Sequence, residues 1–323
     1  MLAFILRRLA QAVLVMLAVG LIAFSLFRFV GDPVVFMLGQ DATDAQREEI
    51  TRALGLDRPF YIQYLQFLRH AVQGEFGLSL RQVQPVSKLI LERLPATLEL
   101  SIVAALFALA AGIPMGIYTA LRRDSWLSHL LLAVSLAGVS LPTFLIGILL
   151  ILIFSVHLGW LPSFGRGDTV ALGWWTTGFL TASGLKALIL PSITLGLFQM
   201  TLIQRLVRSE MLEVLRTDYI RFARARGLTD RAVNFSHALK NTLVPVITIT
   251  GLQLGAIIAF AIITETVFQW PGMGLLFIQA VGAADVPVMA AYLCLIALFF
   301  VVINLAVDLL YYAVDPRLRL QPA

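Results

Sequence analysis

The chain has 323 residues, 59% of them hydrophobic and 13% charged, with a mean hydropathy of +0.88. Soluble domains carry about 25% charged residues, so this composition excludes a soluble globular protein and leaves a polytopic membrane protein. The net charge of +5 is almost entirely arginine, since Lys88, Lys186 and Lys240 are the only lysines; in a membrane protein such an excess reports orientation, not nucleic-acid binding. A single cysteine, Cys294, excludes an intrachain disulfide and a cysteine metal cluster.

Taken in order, a short basic start (Arg7, Arg8) precedes an apolar stretch, 9–30, long enough to cross about 30 Å of hydrocarbon. It is longer than a signal-peptide core and no small-x-small cleavage site follows, so an uncleaved first span is expected, with Arg28 reaching outward from its end. Residues 31–94 form the largest polar segment. Asp41, Thr43 or Asp44 is expected to cap a short helix ending at Gly55, and Pro59 to start another with Tyr61, Tyr64, Leu65 and Leu68 at helical spacing. Too few apolar residues are present for a separate core, so a membrane-hugging helical excursion is expected there.

Further spans are expected at 95–119, with Pro114 inside; at 129–158, with Pro142 in its middle; at 187–209; at 244–267; and at 288–314. The connection 159–186 is polar and aromatic (Trp160, Trp174, Trp175), as at a membrane–water interface. The pattern is an all-α protein with six transmembrane helices, one domain over 1–323, and both termini on one side. Arg7 and Arg8, Arg122 and Arg123, the arginines of 212–243, and Arg317 and Arg319 fall on that side, while the 5–6 loop has no Lys or Arg. The long first loop carries seven basic residues, but loops of about 60 residues translocate largely regardless of charge. The termini and the 212–243 loop are therefore expected in the cytoplasm.

That loop is the long basic interruption of the hydrophobic pattern. Arg221, Arg224 and Arg226 lie in the last turns before Gly227, where positive side chains oppose the negative end of a helix dipole and glycine adopts a left-handed cap. Thr229 or Asp230 can cap a second helix, expected to run through His237 and Asn241 until Pro245 ends it. Positive-inside charge alone explains the arginines but not the glycine stop, the caps and the proline together.

Polar residues punctuate the later spans. Thr194, Phe198, Thr201, Arg205 and Arg208 fall near one face of the fourth; Thr248, Thr250, Gln253 and Thr264 mark the fifth; Asn304, Asp308 and Tyr311 recur on the sixth. They line a solute pathway or bond helix to helix; Thr201, Arg205, Gln253, Glu265 and Asp308 are the candidate pathway or gate residues. Glu265, an acid at the outer end of the fifth span, either meets a substrate amino group or holds the Pro271–Gly274 loop by accepting backbone N–H bonds. Asp285 reads as a turn acid and helix cap. None of His70, His129, His157 and His237 has a ligand-like neighbour pattern, so no metal site is expected, and no catalytic set or cofactor site is expected either. No lysine follows a glycine, which excludes a phosphate-cradling G-x-x-x-x-G-K-[ST] loop. If nucleotide energy is used, the ATPase is another chain.

GDP (31–33), LGLDRPFYIQYLQFL (54–68), RLPATLEL (93–100), DYIRFARARGL (218–228), HALKNTLVPVIT (237–248), ETVFQWPGMG (265–274) and DVP (285–287) together resemble the permeases of ABC importers for peptides and nickel, and among them the dipeptide/oligopeptide "B"-type subunit. The cytoplasmic stretch resembles that family's EAA-type loop, with Arg224-Ala225-Arg226 in place of its Glu-Ala-Ala core. The resemblance implies a type I ABC importer permease fold in a bacterial inner membrane. It also implies a coupling helix formed by Tyr219, Arg221, Ala223, Arg224, Ala225, Arg226, Gly227, Leu228 and Asp230, seated on an ATPase subunit. The implied partners are a second homologous permease subunit, two ATPases that bind ATP and Mg, and an extracytoplasmic substrate-binding protein. Di- or oligopeptides are the implied substrates, with glutathione, nickel chelates or oligosaccharides as alternatives within the same machinery. A self-contained secondary transporter is a rival reading, against which no internal repeat is found. An intramembrane enzyme is a third, against which no paired catalytic groups are found.

Overall fold

The computed structural model describes residues 2–29, 43–53 and 57–314. The expected GDP segment, the Asp41 cap, the helix end at Gly55 and the tail from Asp315 lie outside the described residues, as do the side chains of Arg28, Thr248, Thr250 and Tyr311. The described elements are α1 (Leu2–Phe29), α2 (Asp44–Ala53), α3 (Phe60–Val72), α4 (Val86–Leu121), α5 (Trp126–Ser140), α6 (Thr143–Leu150), β1 (Val170–Leu172), β2 (Trp175–Thr177), α7 (Ala182–Val214), α8 (Asp218–Ala225), α9 (Leu239–Val267), α10 (Met273–Gly282) and α11 (Val286–Val314). Wide helical turns over Ile151–His157 and Ala232–Ala238 extend α6 and lead into α9.

Among the described residues, four helical stretches are long and apolar enough to cross a bilayer: Leu6–Leu26, Val86–Leu121, Ala182–Val214 and Val286–Leu309. The expected third span differs. Pro142 leaves Leu141 extended (φ −91°, ψ 138°), and the helices on either side bend by 115°. The stretch is thus a broken span or a re-entrant pair, not one straight helix. α4 begins at Val86, before the expected start at Pro95, and runs through Pro95 and Pro114. Pro245 does not end a helix as expected; α9 continues from Leu239 to Val267 through it. A proline costs a helix one hydrogen bond, and membrane helices tolerate that loss where neighbouring groups compensate.

The chain divides into two compact units, one of 1–95 with 272–301 and one of 96–271 with 302–323. In the first, α3 lies on α1 through aromatic contacts. Phe24 has its ring centroid 5.1 Å from Phe60, 5.8 Å from Tyr64 and 5.8 Å from Phe67, and Tyr64 Oη donates to the Leu17 carbonyl at 2.6 Å. The start of α4 (Val86, Leu89, Ile90) packs with α10 (Met273, Leu276, Ala280) and α11 (Val288, Ala291, Tyr292). Asp285 is buried, and its carboxylate accepts from Ser79 Oγ, the Leu80 N–H at 3.2 Å and the Arg81 N–H at 3.3 Å. It is a turn acid as expected, but the turn is the distant 79–82 rather than the start of its own helix.

In the second unit α7 is the central helix, flanked by α5, α6 and α9 and laid along α4. Two glycines set the approach of α4 to α7. A methyl group on Gly116 would meet Val207 Cβ at 2.6 Å and the Gln204 carbonyl at 2.8 Å, and one on Gly112 the Met200 carbonyl at 2.8 Å. The backbones are therefore too close for any larger residue, as is common where helices associate without a water-driven hydrophobic effect. The connection 159–181 folds as an antiparallel hairpin, β1 on β2.

Candidate functional site

The basic element expected from the sequence is a short helix with two unlike faces. α8 starts after Thr217 and ends at a left-handed residue, Gly227, with φ +79°. The Leu228 N–H reaches the Ala223 carbonyl at 3.4 Å and the Gly227 N–H the Arg224 carbonyl at 2.9 Å, which together make a Schellman C-terminus. Thr229 caps the next helical segment: its Oγ1 accepts from the Ala232 N–H at 3.4 Å and its carbonyl from the Val233 N–H at 3.0 Å. Asp230 is exposed.

The inner face of α8 is Ile220 and Ala223, one turn apart. Both are buried against Ala120 of α4, Met211 of α7, and Val233 and Ala238 of the wide turn. Its outer face holds Tyr219, Arg221, Phe222, Arg224 and Ala225, followed by Arg226 and Leu228, all exposed. Arg226 lies 5.8 Å from the centroid of the Phe222 ring, and Tyr219 Oη accepts from Asn241 Nδ2 at 2.7 Å. Arg221 meets its neighbour Asp218, at 3.3 Å, where both side chains are largely solvated; such a pair contributes at most about 0.5 kcal/mol. Ala223, grouped with the others by its sequence position, is on the buried side.

The five candidate pathway residues do not share one setting. Thr201 is fully buried, its Oγ1 donating to the Leu197 carbonyl at 3.0 Å, and a methyl on Gly138 of α5 would come within 3.0 Å of that oxygen. Arg205, four residues on, is exposed. Gln253 is half-buried and accepts from Gln199 Nε2 at 3.4 Å, a link between α7 and α9. Asp308 is half-buried next to Val307, whose side chain fills the space beside Gly251. Glu265 lies twelve residues beyond Gln253, about 18 Å along α9.

Glu265 is fully buried and its Oε1 accepts from Thr97 Oγ1 at 2.6 Å. Its main-chain carbonyl also accepts the Trp270 N–H at 2.8 Å. Trp270 is itself fully buried, and its indole Nε1 donates to the Ala96 carbonyl at 2.9 Å.

One turn of α4 thus receives the end of α9, and the same turn holds a buried ion pair that sequence reasoning missed. Arg166 Nη2 meets Glu99 Oε2 at 2.6 Å, with side-chain exposures of 6% and 1%. The guanidinium also donates to the Thr176 carbonyl at 2.7 Å and to Thr176 Oγ1 at 3.0 Å, and the Gly178 N–H donates to Glu99 Oε2 at 3.3 Å. The signal was present in part. Glu99 is an acid inside an expected span, the same criterion that singled out Glu265. Arg166 is the lone arginine of its loop.

A family model described as "Binding-protein-dependent transport system inner membrane component" matches residues 112–320, and the corresponding N-terminal model matches residues 1–101. The chain is 43% identical to the di/tripeptide transport system permease protein DppB of Pseudomonas aeruginosa, covering 99% of this chain and 100% of that protein. It is 39% identical to the dipeptide transport system permease protein DppB of Alkalihalophilus pseudofirmus over 99% and 100%, and 40% identical to that of Escherichia coli K12 over 99% and 99%. Among solved structures, an inward-facing chain of the MetNI methionine ABC transporter superposes with a TM-score of 0.55, 21% identity, and coverage of 70% of this chain and 96% of that one. That likeness shows the fold.

Proposed function

Because the chain belongs to the family of binding-protein-dependent transport system inner membrane components, we propose that it is the peptide-translocating permease subunit of an ATP-driven importer. The observation that carries this reading is whole-length identity of about two residues in five to dipeptide and di/tripeptide permeases. The chain is a multi-pass membrane protein with a type I ABC importer permease fold. It catalyses no reaction itself; two ATPase subunits bind ATP and Mg, a second homologous permease completes the pathway, and a binding protein delivers di- or oligopeptides from outside. The protein lies in the inner membrane, crosses it six times and keeps both termini in the cytoplasm.

α8 is the element on which the ATPases act. Its exposed face of arginines with Tyr219, Phe222 and Leu228 fits a partner groove, and its buried Ile220 and Ala223 pass displacement to the ends of α4 and α7. Arginine gives directional, charge-assisted contacts there. Thr201, Arg205, Gln253 and Asp308 are proposed to line or gate the pathway and Glu265 to gate its outer end, Thr201 and Glu265 acting from buried positions.

The test is reconstitution. The complex purified with its partner permease, ATPases and binding protein should import dipeptide into proteoliposomes only with ATP. Gly227→Pro, which cannot adopt φ +79°, should abolish uptake. Import by the lone chain on an ion gradient would sink the reading, and mass spectrometry of the ligand carried by the binding protein decides the substrate.

A further inference from the structure

Three connections converge on residues 96–99 of α4: the Trp270 indole on the Ala96 carbonyl, the Glu265 carboxylate on Thr97, and Arg166 on Glu99. The loop that carries Arg166 is also bonded to its other neighbours. The Gly165 N–H donates to the Phe268 carbonyl at 2.9 Å, the Asp168 N–H donates to Ser183 Oγ at 3.0 Å, and Thr181 Oγ1 donates to the Asp168 carbonyl at 2.6 Å. Loop 165–178 and segment 265–270 are therefore fastened to α4, to the start of α7 and to each other.

The opposite end of α4 is fastened as firmly to α8. Ala120 is 2% exposed and packs with Ile220 and Ala223. Twenty-one residues separate Glu99 from Ala120, about 32 Å of helix, which matches the ~30 Å hydrocarbon thickness. One uninterrupted helix thus joins the element proposed to meet the ATPases to the loops on the far side of the bilayer.

We propose that Glu99 and Arg166 are positioning residues that make loop 165–178 and segment 265–270 move with α4, so that displacement of α8 is delivered to the far-side loops and, in reverse, contact at those loops is felt at α8. Both charges are almost completely removed from water, and the arginine is also held by two oxygens of Thr176. A pair so enclosed is not one that opens and closes in each cycle; it is a permanent joint. Its function is to keep the loop from lagging behind the helix. The inference rests on the importer reading above, since the joint has something to transmit only if ATPases act at α8 and a binding protein acts at the far side.

The test uses the whole complex in proteoliposomes and reads two rates: basal ATP hydrolysis, and hydrolysis stimulated by peptide-loaded binding protein. With the joint broken in Glu99→Gln or Arg166→Gln, basal hydrolysis should stay near the unsubstituted rate while stimulation and peptide imported per ATP fall about tenfold, the scale of a coupling between two sites. The charge-reversed double variant E99R/R166E should recover part of the loss. Thr176→Val removes one hydroxyl from the guanidinium, leaves the ion pair and the carbonyl contact in place, and should lower stimulation about threefold.

If the single variants do not assemble, T176V carries the decision. An assembled T176V complex with unchanged stimulation and unchanged peptide per ATP overturns the proposal. So does an assembled E99Q or R166Q complex in which basal and stimulated rates fall together, because that is loss of structure and not of transmission. If the unsubstituted complex shows no stimulation by binding protein, it is the importer reading that has failed.

Discussion

At α8 the charged groups face solvent and the apolar groups hold the helix down; at the 96–99 turn of α4 the charged groups are the fastening. Among the described residues, the arginines of α8 have one near carboxylate, Asp218, three residues from Arg221 and largely solvated. Arg166 and Glu99 are 67 residues apart in sequence and almost fully enclosed. The same residue types therefore carry different meanings: exposed and local, they are available to another chain; buried and remote, they fix this chain to itself. The contrast predicts opposite responses to removal of a single charge.

The largest stability change is expected where the charge is buried. Arg166→Ala leaves the Glu99 carboxylate enclosed without its cation and should destabilise the solubilised protein by about 3–5 kcal/mol in chemical unfolding. Ile220→Ala should come next, at about 2–4 kcal/mol, since it empties the fully buried underside of α8. Trp270→Phe keeps an aromatic ring, but it leaves a cavity where the larger indole was fully buried and the Ala96 carbonyl without its indole donor, which should cost about 2–3 kcal/mol. Arg224→Ala should change unfolding by less than about 0.5 kcal/mol, yet weaken retention of the ATPase subunits on affinity purification. If Arg224→Ala destabilised the protein as much as Arg166→Ala, the contrast between the two ends would be gone.

The contrast also explains which features were legible in the sequence. Hydrophobic runs long enough to cross a bilayer marked most of the helices, because that signal is local and depends on length alone. The basic element was legible for the same reason: its glycine stop, the Thr229 cap and its arginines lie within a dozen residues or so. The Glu99–Arg166 pair was not, because no periodicity links residue 99 to residue 166. Asp285 was read as an acid in a turn, but its turn is some two hundred residues away at Ser79–Arg81. Prolines misled in both directions. Pro142 puts a 115° bend in the middle of the expected third span, while Pro245 passes inside a helix where an end was expected. A proline removes one donor, and what the surroundings do about it is decided by packing that the one-dimensional pattern does not contain.

Gly227 is surrounded by open space. A side chain built there would have no atom within 4 Å of its first carbon, yet the backbone lies at φ +79°. The site therefore selects by handedness and not by volume. Substitutions should rank by how readily each residue visits the left-handed region: asparagine mildest, alanine intermediate, and valine worst despite the room around it. A bulk-ordered series would mean that the partner seated on the outer face closes over this residue when it docks.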